Sequence, residues 1–203
     1  MKLGKLSLVA IVPALSLAIV GGSQARGLRD VLGSGAQSTT VQAAGRIEMA
    51  FSPNEGAEEL VVRVIRSEAH PGGKLRMLAY SLTNPTIVRE LIEAAHAGAD
   101  EKIVADYKEN VEEDRSGKGR AALGALATAG IDVRTIRVFP THHDKATITP
   151  TATQTGSYNY SVAASRKNSE NVVVMWDNPQ VSAIYLRHFE RNYAQATPYR
   201  PGY

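Results

Sequence analysis

The stretch Leu75–Tyr107, LRMLAYSLTNPTIVRELIEAAHAGADEKIVADY, holds one strand–helix–strand unit. His70-Pro71-Gly72-Gly73 makes a turn just before it, and Leu75–Ser81 follows as an apolar run of strand length. Asn84-Pro85 opens a helix, because proline at the first helical position gives up an N–H that has no intrahelical partner there. Ile87, Val88, Leu91, Ile92 and Ala95 recur at helical spacing as a buried stripe, and Gly98 is placed to end the helix. Lys102–Tyr107 is the next strand.

Upstream, Ile47, Met49 and Phe51 alternate with Glu48 and Ala50 as in a short strand. Ser52-Pro53-Asn54 stops it and caps a helix in which Leu60, Val61, Val64 and Ile65 share one face. Downstream, residues 108–118 are charged and read as a solvated loop, Gly119–Ala129 as a helix ended by Gly130, and Asp132–Val138 as a strand. This alternation predicts an α/β fold, with a mixed, mostly parallel sheet flanked by helices on both faces. Beyond Pro140, Lys145–Thr149 and Thr151–Gly156 form a hairpin pair, Ser161–Arg166 a short helix and Val172–Trp176 a buried strand. Pro179–Ala196 closes the domain as an amphipathic helix with Val181, Ile184, Tyr185, Phe189 and Tyr193 on or near one face. No internal repeat appears.

Residues 1–25 read as a secretory signal peptide: Lys2 and Lys5 form a basic start, Leu6–Val20 is apolar, and Ser23-Gln24-Ala25 ends in small residues, with cleavage near Ala25. The apolar run is shorter than the roughly 20 residues needed to span a bilayer, so no stable membrane insertion is expected after cleavage. The mature chain is expected to be secreted or periplasmic. Residues 26–45, rich in Gly, Ser, Thr, Ala and Gln, read as a flexible leader, leaving 46–203 as one domain. Removing Lys2 and Lys5, and no acid, takes the net charge from +3 to +1, so affinity for phosphate has to come from a local patch. With no cysteine, disulfides, thiolate metal sites and a lipid-modified cysteine are excluded.

His143 and Lys145 lie two apart at the mouth of a candidate strand, so both side chains project from one face, pairing a nucleophile with a cation. Ser157 and Asn159 repeat the spacing after the next strand and supply a hydroxyl and an amide donor; Glu170 follows the short helix. Phosphoryl transfer uses these parts: a nucleophile, fixed donors on the non-bridging oxygens, and a group that orients the nucleophile. A metal site is not expected, since adjacent His142, His143 and Asp144 on an extended segment point to opposite faces. His70 in a turn, His96 at a helix end and His188 on the last helix read as solvated or packed; His142 reads as lining the pocket or lying on the surface. Asp106, Lys108 and Arg115 sit where α/β proteins place binding groups, and Lys118, Arg120, Arg166 and Lys167 are further candidates for a phosphate-binding rim.

LAYSLTNPTIV (78–88), KIVADYKEN (102–110), HDK (143–145) and TGSYNYSVAASRKNSENVVV (155–174) together resemble the phospholipase D superfamily, and within it the small secreted bacterial endonucleases. The resemblance runs from about Ile47 to the C-terminus. It implies the phospholipase D/nuclease fold, and a covalent phosphohistidine formed at His143. Lys145 and Asn159, with Ser157 as an extra donor, would hold the phosphoryl oxygens, and Glu170 would hydrogen-bond the His143 ring. No cofactor is implied. The family pattern has an Asp seven residues after the His, where this chain has Pro150. That departure opens the alternative of a non-catalytic, phosphate-binding homologue. The family mechanism uses two His-x-Lys motifs, one His as nucleophile and one as acid; this chain has one, so a homodimer that brings two His143 side chains together is expected. The polar FPTHHD and 108–118 segments favour nucleic acid over a phospholipid as substrate, with Lys108, Lys118, Arg166 and Lys167 as its phosphate contacts.

Overall fold

The structure, a computed structural model, describes residues 38–41 and 45–202; the expected signal peptide and most of the expected leader lie outside the described residues. Within the unit Val41–Tyr203 the elements are β1 (Arg46–Ser52), α1 (Ala57–Ser67), β2 (Lys74–Ala79), α2 (Pro85–His96), β3 (Asp100–Asp106), a π turn (Lys108–Glu112), α3 (Lys118–Thr128), β4 (Asp132–Ile136), β5 (Lys145–Ile148), β6 (Thr153–Gly156), α4 (Val162–Arg166), β7 (Glu170–Trp176), α5 (Pro179–Gln195) and β8 (Thr197–Pro198).

The strands form one mixed sheet in the order β1-β7-β6-β5-β2-β3-β4-β8. The α/β class and the helices on both faces are as the sequence implies, but the balance of directions differs. Only β2–β3 and β3–β4 are parallel; β1–β7, β7–β6, β6–β5, β5–β2 and β4–β8 are antiparallel. The cause is connectivity. Parallel neighbours need a crossover, which α2 and α3 supply, whereas beyond Pro140 the chain folds back through a tight hairpin.

The pleat splits the apolar residues into two cores. Leu75, Met77, Ile103, Ala105, Val133, Val172 and Val174 lie with α1, α2 and α3, whose Leu60, Val61, Val64, Ile65, Ile87, Leu91, Leu123 and Leu126 are buried against them. Leu78, Val104, Ile136, Ala146 and Ile148 point the other way and meet Phe189, Tyr185 and Tyr193 of α5. Burying one such side chain stabilises by about 1.5–3 kcal/mol. α2 starts as expected, with Pro85 in the first turn and Asn84 accepting from Thr86 N at 2.8 Å. α1 does not start at Asn54. Its N-cap is Gly56, without a side-chain bond, and Asn54 instead adopts φ 66 in the preceding turn.

One other local expectation changes. Residues 108–118 are not simply a solvated loop: the π turn buries Asn110, whose Oδ1 accepts from Leu82 N at 2.9 Å and whose Nδ2 donates to Tyr80 O at 2.6 Å and Asp106 O at 2.8 Å. β1 turns Ala50 and Ser52 inward while Ile47, Met49 and Phe51 face outward.

The β5–β6 turn, where this chain has Pro150, is closed by Thr149. Thr149 N donates to Ala152 O at 2.8 Å, and Thr149 Oγ1 accepts from Ala152 N at 2.9 Å. A hydroxyl on one residue thus closes the turn locally, leaving Pro150 exposed at its tip. Replacing Thr149 by Val should cost about 1–2 kcal/mol in urea unfolding, whereas Pro150→Ala should leave the midpoint almost unchanged.

Glu101 on β3 is buried with neither carboxylate oxygen hydrogen-bonded. Burial pushes its pKa up to about 8, from an ordinary value of 4.5, against the opposing pull of Arg76. Below pH 4.5 folded and unfolded states both hold the proton; from there to about 8 only the folded state does, so stability falls as pH rises through that window. Glu101→Gln should flatten the pH dependence of stability and raise the melting temperature at pH 8, as read by thermal unfolding from pH 4 to 9.

Candidate active site

The catalytic candidates collect at one end of the inner strands because the motif residues sit at strand ends there. Lys145 is the first residue of β5, Gly156 the last of β6 and Glu170 the first of β7. The β6 end requires glycine: Gly156 has φ +149, and a Cβ on it would meet Asn171 O at 2.2 Å. That close approach lets Ser157 Oγ reach Glu170 Oε2 at 2.6 Å and accept from Asn171 N at 3.1 Å.

His143 stands exposed beside Tyr80, with ring centroids 4.6 Å apart. Lys145 Nζ lies 4.7 Å from the centroid of the same Tyr80 ring and donates to His143 O at 2.8 Å. Tyr80 therefore supports both the imidazole and the ammonium, a role no motif pointed to. Burial holds the Lys145 ammonium below the usual lysine range, opposed by the carboxylates of Asp144, Glu170 and Glu109. Asn159 Oδ1 is buried and has no hydrogen-bond partner, an unusual condition for an amide beside a reactive group.

Glu170 departs from the expected role. Its carboxylate accepts from Ser157 and, at 2.9 Å, from Asn168 Nδ2, not from the His143 ring. Those donors sit on the same β6–β7 connection and are its nearest neighbours. His142 is not on the surface: it is 3 % exposed, burial lowers its pKa, and its Nε2 lies 3.3 Å from Asp144 Oδ2. Asp106 is likewise structural, accepting from His142 N at 2.7 Å and Glu109 N at 2.8 Å.

Asp144, between the two motif residues, has the opposite orientation and meets α5. His188 Nε2 donates to Asp144 Oδ2 at 2.8 Å, and Arg191 Nη2 donates to His188 Nδ1 at 2.6 Å, which places the His188 proton on Nε2. The closing helix thus clamps the motif segment from behind. His188 could not be picked out by spacing, because its partner lies 44 positions away.

The proposed rim is scattered. Lys108 is exposed in the π turn and pairs with Glu113 at 3.3 Å. Lys118 lines an apolar groove of about 350 Å³ with Pro85, Val88, Ala122 and Val162. Arg166 lies in a depression of about 360 Å³ with Ser52, Glu58 and Glu59, and Lys167 is exposed beyond it. The approach to the motif is less polar than FPTHHD suggested, since Val138 and Phe139 are 56 % and 39 % exposed there. Among the described residues, no group of three or more His, Asp or Glu side chains is arranged to hold a metal ion, and no helix is long and apolar enough to cross a membrane.

Comparison with known proteins agrees with this arrangement. Residues 65–193 match the family described as cardiolipin synthase, PLD-like domain. The crystal structure of the phospholipase D family member Nuc from Salmonella typhimurium superposes with a TM-score of 0.71 at 36 % identity, covering 76 % of this chain and 98 % of that one. A phospholipase D of Rickettsia typhi is 29 % identical over 144 residues, 70 % of this chain and 66 % of that protein. The mitochondrial cardiolipin hydrolase of Xenopus tropicalis is 26 % identical over 125 residues, 61 % and 56 % of the respective lengths. With its mixed sheet and its motif residues gathered at one end of the inner strands, the chain belongs to the phospholipase D superfamily of phosphodiesterases.

Proposed function

We propose that the protein is a non-specific endonuclease that cleaves DNA or RNA through a phosphohistidine at His143, in a site completed by a second copy of the chain. The observation that carries the polymer substrate is the openness of the site. His143 is exposed just before the start of β5, and the cavities of about 370 and 350 Å³ that suit apolar ligands are lined by neither His143 nor Lys145. A phosphodiester backbone can lie across such a surface, with exposed lysines as weak phosphate contacts. No groove-reading element accompanies them, so base preference is low.

A ring nitrogen of His143 attacks phosphorus, and an N–P bond forms as the bond to the leaving oxygen breaks. That oxygen takes a proton from the partner's His143. Water then attacks the phosphohistidine, gives a proton back to the same acid, and releases the phosphomonoester and free His143. Lys145 neutralises charge on the non-bridging oxygens, Asn159 and Ser157 donate to them, and Tyr80 and the Asp144–His188 pair keep His143 in place. Glu170 acts through Ser157 unless substrate draws it to the ring. Lys2, Lys5, the apolar Leu6–Val20 and Ala25 support export of this activity from the cytoplasm.

A second reading, hydrolysis of a phospholipid head group, draws on one observation: exposed Val138 and Phe139 make an apolar lip beside the motif. Plasmid DNA incubated with the mature chain in EDTA should be degraded, and His143→Ala should lower the rate at least about 1,000-fold. Intact plasmid together with release of choline from phosphatidylcholine would replace this reading by the second. His188→Ala should lower kcat about ten-fold with KM within two-fold, and His188→Gln, which keeps a donor to Asp144, should recover most of the loss.

A further inference from the structure

β2, β3 and β4 are parallel neighbours, so the residues that follow them emerge together at one end of the sheet. At that end each strand is followed by a planar group: Tyr80 after Ala79, Tyr107 after Asp106 and Arg137 after Ile136. β5 begins at the same end, because it is antiparallel to β2 with Lys145 opposite Ala79. Neighbouring strands lie about 4.8 Å apart, so about 14 Å of sheet separates the motif segment on β5 from Arg137 on β4. Tyr80 is engaged by His143 and Lys145. Tyr107 and Arg137 stand outside that cluster, and there the Arg137 guanidinium lies 3.3 Å from the centroid of the Tyr107 ring.

Two features separate this arginine from an ordinary surface cation. It is exposed, yet its side chain pairs with no carboxylate among the described residues, whereas Arg134 is held by Asp132 and Lys108 by Glu113. Two residues on, Phe139 is exposed as well, its ring 6.5 Å from that of His142 with 26° between the planes. A flat cation laid on an aromatic ring, with a second exposed ring beside it, suits the π-face of a nucleobase. We propose that Arg137 on Tyr107, together with Phe139, is a stacking subsite for an unpaired base of a DNA or RNA strand whose scissile phosphate lies at His143. The inference rests on the endonuclease reading above and adds a subsite to it. The separation from the motif sets the stacked base at a fixed offset from the cut, to one side of it. A duplex hides the faces of its bases, so the subsite takes single strands, ends and loops. Stacking strength grows with the face of the base, so purine is favoured at that offset without any hydrogen-bond readout.

Fluorescence anisotropy with a labelled single-stranded oligonucleotide of mixed sequence reads the subsite apart from the chemistry when every protein compared carries His143→Ala. On that background Arg137→Ala and Phe139→Ala should each weaken binding about ten-fold. Arg137→Lys, which keeps the charge and loses the plane, should weaken it nearly as much, whereas Phe139→Trp should not. With His143 in place, sequencing of the cut ends should show purine enriched at one fixed offset from the cut, and Arg137→Ala should remove that bias. Full binding by Arg137→Lys would make the residue a phosphate contact and overturn the subsite. So would cut sites that Arg137→Ala leaves unchanged, or binding to phosphatidylglycerol vesicles that Phe139→Ala abolishes while oligonucleotide affinity stands. An oligonucleotide bound through Arg137 and Phe139 but never cut by the unaltered chain would keep the subsite and overturn the endonuclease reading.

Discussion

The two-residue period of the extended chain governs this molecule. On β5, Ala146 and Ile148 point to the α5 core, so Lys145 and Thr147 must point the other way. Continued back by two residues, the same parity separates His143 and Lys145 from Asp144. One tripeptide thereby supplies both the reactive groups and the carboxylate by which α5 holds them. A single-residue slip in the β5–β2 register, where Lys145 sits opposite Ala79, would exchange those roles and bury the wrong side chain.

The electrostatics follow from that geometry. Lys145 is mostly enclosed, and what offsets the cost of holding an ammonium there is a ring face and three carboxylates at a distance, with none bonded directly to it. Direct pairing would satisfy the cation and leave it less available to a phosphate. Glu170 is in turn occupied by Ser157 and Asn168. The charge at these strand ends is therefore organised but not cancelled, which is what an incoming phosphodiester anion requires.

Much of this was legible in the sequence. Strand and helix spans came from periodicity and from Asn84-Pro85, Gly98 and the Ser161–Arg166 segment, all of them short-range signals. The motif spacing and the resemblance singled out the cluster at His143, Lys145, Ser157, Asn159 and Glu170. What escaped notice depends on partners distant along the chain. Asn110 is bonded to Leu82 and Tyr80, 28 and 30 positions away, and His188 to Asp144 across the whole hairpin. The direction of the later strands escaped because alternation reports that a residue is in a strand, not which neighbour it will pair with. On β1 the alternation of Ile47, Met49 and Phe51 identified a strand without saying which face is covered, and burial belongs to Ala50 and Ser52. Local pattern cannot say which of two faces meets the core when both carry some apolar character.

The Thr149 turn bears on how relatives of this chain are recognised. Its hydroxyl does with one oxygen, inside a tight hairpin, the bonding of a turn that an acidic side chain could also close. Pro150 itself takes no part in that closure, so the hairpin tip of this chain does not depend on an acid there. A search pattern that insists on the acid would discard this chain, which keeps His143, Lys145, Ser157, Asn159 and Glu170, whereas one that tolerates a Thr-Pro pair at the hairpin tip would keep it.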